Sequence, residues 1–135
     1  GTRLVVRDGD VARRLQEILV VEAARLRTVA TTDLVIDGHF AVPTTGGPAL
    51  VPADVFERLG CRLLVQIRVE PGIVAGRLKA RGGARWWNGS ISHVVELDAA
   101  ERTHAAAVAA TARLPMIVVQ DGAAAADVIL QAMQL

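Results

Sequence analysis

The stretch Asp33-Leu34-Val35-Ile36-Asp37-Gly38-His39-Phe40 constrains the fold of this chain more than any other. Three consecutive branched aliphatic residues suit a strand covered on both faces, because both side-chain rows must then be apolar. An acid, a glycine and a histidine follow. Gly38 permits a sharp turn, and His39 and Phe40 leave the sheet where open α/β folds bind their ligands. The pattern predicts a buried parallel strand over 33–38 that delivers the Asp37 carboxylate to its open end. The competing reading of the same residues is a core strand that ends in a solvated aspartate.

The rest of the chain supplies elements in alternation. Leu4-Val5-Val6 reads as a short strand. Asp10 is a suitable N-cap, and Val11, Leu15, Ile18, Leu19 and Leu26 recur at three- and four-residue spacing, which predicts a sheet-covering helix ending near Ala30. Pro43, Thr44, Thr45, Gly46, Gly47 and Pro48 resist both helix and strand, so Ala41–Val51 reads as a long loop, placed where a substrate would be handled. A short helix over 52–59 starts at Pro52 and stops at Gly60. Residues 61–69 read as a strand, Pro71 opens a helix that Gly82-Gly83 ends, and 84–90 read as loop. A long helix over 92–113, a strand over 116–119 and a helix over 122–135 complete the pattern. Such alternation predicts one α/β domain over 1–135, a three-layer sandwich with a mostly parallel sheet.

Composition excludes several functions. A net charge of +1 gives no field for a polyanion, and 3% aromatic content leaves little to stack bases on, so nucleic acid is not an expected partner. No run approaches the roughly 20 apolar residues that span a bilayer, and Arg3, Arg7 and Asp8 stand where a signal peptide would be apolar. The chain reads as soluble and cytoplasmic, with no membrane partner. Cys61 is the one cysteine and cannot form an internal disulfide; at the head of a strand it reads as a small buried residue.

Arg77 and Arg81 lie four apart on one predicted helix face, and Arg85 follows the diglycine closely enough to join them. Such a cluster suits phosphate oxygens, because guanidinium groups offer paired hydrogen bonds; its plain alternative is a solvated face near acids such as Glu70 and Glu101. His39, His93 and His104 lack metal-ligand spacing, and no serine sits in a Gly-x-Ser-x-Gly elbow. Asn88-Gly89-Ser90 matches a glycosylation acceptor that a cytosolic chain would not use. Trp86-Trp87 reads either as a lid packing over a base or as an apolar plug or subunit contact.

Taken in order, Leu34-Val35-Ile36-Asp37-Gly38-His39-Phe40, then Val51-Pro52 to Phe56, then Leu63 to Ile67, then Pro71-x-x-Val74-x-x-Arg77-Leu78-x-x-Arg81, the chain resembles the later part of P-loop nucleoside-monophosphate kinases. It is most similar to the archaeal-type adenylate kinases and the small bacterial ATPases related to them, over about residues 33–135. The resemblance implies a P-loop NTPase-like, Rossmann-like fold that binds ATP and magnesium. Asp37 would be the Walker B acid linked to the metal through water. His39, Thr44 and Thr45 would lie near the acceptor nucleotide. Arg77, Arg81 and Arg85 would form the lid that neutralises transferred phosphate, and Gln120 would end the last strand beside the adenine.

One element of the resemblance is absent. The phosphate cradle Gly-x-x-x-x-Gly-Lys-Ser/Thr occurs nowhere in the 135 residues, so the chain alone is expected to be a very poor kinase. The P-loop strand that carries it would run between 33–38 and 61–69, and its lack would leave two central edges unpaired. A preceding segment, residues 3–7 or another subunit is expected to fill that gap. The reading is therefore an incomplete piece of a larger enzyme, with a degenerate, non-catalytic scaffold module that dimerises as the alternative.

Overall fold

A computed structural model describes Gly9–Gln134. The elements run α1 (Gly9–Val29), β1 (Ala41–Thr44), β2 (Gly47–Leu50), α2 (Ala53–Arg58), β3 (Leu64–Arg68), α3 (Pro71–Ala80), α4 (Ile91–Ala112), β4 (Met116–Gln120) and α5 (Ala125–Met133). The α/β character is as expected, but the sheet is not one layer. Among the described residues it consists of an antiparallel pair, β1 with β2, and a parallel pair, β3 with β4. The predicted strand over 4–6 lies outside the described residues.

Helices and the β3/β4 pair fall where periodicity places them. Helix α1 includes Asp10, the expected N-cap, as a helical residue. In β3 and β4 the register runs from Leu64 opposite Met116 to Arg68 opposite Gln120. Helix α4 shows a buried stripe at Val94, Ala105 and Val108, spacing that returns to one face of a 3.6-residue repeat.

Two expectations fail. Residues 33–38 form no regular element and belong to no sheet among the described residues, and Leu34, Val35 and Ile36 are exposed, Val35 at 77%. A strand needs a neighbour to satisfy its backbone, and among the described residues Leu34–Gly38 makes no hydrogen bond. The second correction concerns 41–51, which form a hairpin instead of a loop. Its prolines, Pro43 and Pro48, stand directly opposite each other. Thr44 and Gly47 close the two-residue turn as a hydrogen-bonded pair, so Pro43 and Pro48, one step out, form a non-hydrogen-bonded pair in which no N–H faces across the ladder and the missing proline donors cost nothing. Thr45-Gly46 make the turn.

Two clusters form the core. Val20 and Ala23 of α1 pack with Val51, Val55 and Leu59; Phe40 and Leu64 pack with Ala105 and Val108 of α4. Phe56 and Cys61 touch both clusters. Phe56 also stacks on Phe40, with ring centroids 5.2 Å apart. Burial raises the Cys61 thiol pKa, in keeping with a packing role.

Candidate functional site

The segment from Asp33 to Phe40 is fastened at both ends. Asp33 pairs with Arg62, just before β3. At the other end, Glu101 of α4 accepts a hydrogen bond from the Phe40 N–H at 3.1 Å. Gly72, just past β3, abuts Ile91 at the head of α4, whereas Leu64 at the head of β3 packs on Ala105 and Val108. Helix α4 therefore runs against β3. Phe40, next to His39, packs on Leu64, so His39 lies nearer the amino end of the parallel pair, opposite the end where open α/β folds place their sites.

Asp37 is exposed and makes no hydrogen bond among the described residues. His39 Nδ1 lies 3.7 Å from Glu101 Oε1, the oxygen that also receives the Phe40 N–H. The neighbouring Glu101 carboxylate raises the His39 pKa above its ordinary 6.5, partial burial opposes this, and the charge of Asp37 adds to the rise. Glu101 is a site residue that the sequence reading placed only as a nearby acid. The available signal was its position on the stripe Val94, Leu97, Glu101, Ala105, Val108, where an acid on an otherwise apolar helix face must find a partner.

The expected arginine cluster divides. Arg77 donates to Asp121 at 3.1 Å, across the carboxyl ends of β3 and β4, and the Asp121 N–H bonds to the Arg68 carbonyl at 2.9 Å. Arg81 closes α3, its N–H donating to the Arg77 carbonyl at 3.2 Å, with its side chain exposed. Arg85 instead lines an open cavity of about 720 Å³ together with Lys79, Gly82, Gly83 and Trp87. Lys79, which spacing alone points away from the arginines, is thus brought beside Arg85. Gln120 is exposed at the end of β4.

The remaining candidates serve the backbone. Thr44 is buried; its hydroxyl donates to the Gly47 carbonyl at 2.5 Å and accepts from the Gly46 N–H at 3.2 Å, which clamps the hairpin turn that also contains Thr45. Trp87 Nε1 donates to the Ser90 carbonyl at 2.8 Å, and Trp86 meets His93 edge-on at 5.7 Å. Asn88 and Ser90 form the cap of α4: the Asn88 Oδ1 accepts from Ser90 N–H and Oγ, and Ser90 Oγ accepts from the His93 N–H. His104 Nε2 bonds to the Val51 carbonyl at 2.5 Å. Both indoles are therefore engaged within the 86–93 turn.

Among the described residues no group of three or more His, Cys, Asp or Glu side chains could hold a metal ion, and no helix is long and apolar enough to cross a membrane. Asp37 supplies a single carboxylate. No protein-family model and no curated protein matches the chain.

Proposed function

We propose that the chain is part of an ATP-binding phosphotransferase or ATPase of the nucleoside-monophosphate kinase type, with adenine nucleotide and magnesium as ligands. The observation that carries this reading is the placement of Asp37 and His39. An exposed acid follows the apolar run Leu34-Val35-Ile36, Glu101 stands beside the histidine, and Arg77 pairs with Asp121 at the carboxyl ends of β3 and β4. Asp37 would hold magnesium through water, His39 would meet the acceptor, and Arg77, Arg81 and Arg85 would balance phosphate charge. Magnesium supplies charge neutralisation when bound. The P-loop is lacking from these residues, so turnover by the chain alone is expected to be negligible.

Calorimetric titration with Mg-ATP tests the reading. Micromolar binding that Asp37→Asn weakens at least tenfold, with the melting temperature unchanged, supports it. Absence of binding at millimolar nucleotide favours the second reading, a non-catalytic interaction module. That alternative has its own support in the open apolar groove between residues 33–38 and β3.

A further inference from the structure

Residues 33–38 and β3 face one another across a groove of about 950 Å³, whose walls include Leu34, Ile36, Val65 and Ile117 and whose cover is Leu15 and Leu19 of α1. Each wall offers backbone. Among the described residues β3 pairs only with β4, and Leu34–Gly38 makes no hydrogen bond. An apolar slot with main-chain donors and acceptors along it is chemistry for an aliphatic β-strand, since only another backbone satisfies such edges. The size agrees. With a rise of about 3.3 Å per residue, about 4.8 Å between strands and about 10 Å between layers, a five-residue strand fills roughly 800 Å³.

We propose that a second copy of this chain fills the groove with its own Leu34-Val35-Ile36. The segment is aliphatic in both side-chain rows, as a central strand must be. In a two-fold dimer each copy's segment would lie between the other's segment and the other's β3, giving one continuous sheet: β4, β3, partner segment, own segment, partner β3, partner β4. The arrangement is self-complementary and closes after two copies. It buries Val35, otherwise 77% exposed, at its centre.

Surface area supports a partner of this size. The chain exposes 9050 Å², whereas a compact monomer of its 14.3 kDa mass would expose about 6,800 Å². Discounting the other nine residues at their maximum, roughly 1,400 Å², still leaves an excess of about 850 Å². Twice that, about 1,700 Å², falls in the range of standard specific interfaces, roughly 1,200–2,000 Å² in total. A net charge of +1 puts little repulsion between copies. The proposal stands on the groove and does not require the nucleotide reading.

Sedimentation equilibrium of the 135-residue chain from about 1 to 100 μM tests it. The expected result is twice 14.3 kDa, with Val35→Lys weakening the dimer at least a hundredfold. Because Val35 is exposed within one copy, the variant's circular dichroism should be unchanged. Val21→Lys, on the outer face of α1 away from the groove, should leave the dimer intact. A monomer throughout the range would overturn the proposal. So would a dimer that Val21→Lys breaks and Val35→Lys does not. A monomer that instead takes up an aliphatic peptide strand would also overturn it, assigning the groove to another polypeptide. Nucleotide binding is read separately by calorimetry, so failure of either proposal leaves the other standing.

Discussion

Glu101 holds two neighbours on one oxygen: the main-chain N–H of Phe40 at 3.1 Å and the His39 imidazole, with Nδ1 at 3.7 Å. A single acid on α4 thus fixes the end of the segment that carries Asp37. Because the folded-state pKa of His39 is raised above 6.5, its stabilising contribution is fully present below pH 6.5 and is lost as pH rises through the folded value. In Glu101→Gln the His39 pKa should return to about 6.5 by NMR titration. If the variant's titration curve overlays that of the parent, the contact does not exist in solution.

Phe56, together with Cys61, packs against both core clusters. Phe56→Ala should remove the stack on Phe40 and loosen both clusters, costing about 3 kcal/mol in urea unfolding. A loss below about 1 kcal/mol would mean that the clusters are held together by other contacts.

Arg113 ends α4 in the left-handed conformation at φ 55°, a geometry that a side chain disfavours and glycine accepts. Arg113→Gly is therefore expected to stabilise the chain by about 0.5–1 kcal/mol, offset in part by the freer unfolded chain. A lower melting temperature would show that the Arg113 side chain makes a compensating contact.

Arg77 and Asp121 are both well exposed, so their ion pair should contribute little to stability. Arg77→Ala should change the unfolding free energy by less than about 1 kcal/mol. If the nucleotide reading holds, the same variant should weaken Mg-ATP binding about tenfold, the worth of one charge-assisted phosphate contact. Equal affinity in parent and variant would remove Arg77 from the site.

Much of this protein was legible from local pattern. Helix hydrogen bonds close within four residues, so the periodicity of Val11 to Leu26, the proline at 71 and the diglycine at 82–83 suffice to place α1 and α3, and the helix read over 92–113 became α4, whose Ser90 cap the structure shows. The apolar runs at 64–68 and 116–120 likewise became β3 and β4. Strand bonds close between segments far apart in sequence, and there the sequence alone was insufficient. Leu34-Val35-Ile36 has the composition of a central strand, yet only the tertiary structure shows an apolar groove beside it and a β3 that, among the described residues, pairs with β4 alone. Pro43 and Pro48 argue against a strand until their cross-strand register is known, because only the pairing tells which residues need no donor. The same holds for Glu101: its position on an apolar helix face was readable, but its partners, His39 and the Phe40 N–H, are sixty residues away and were chosen by packing.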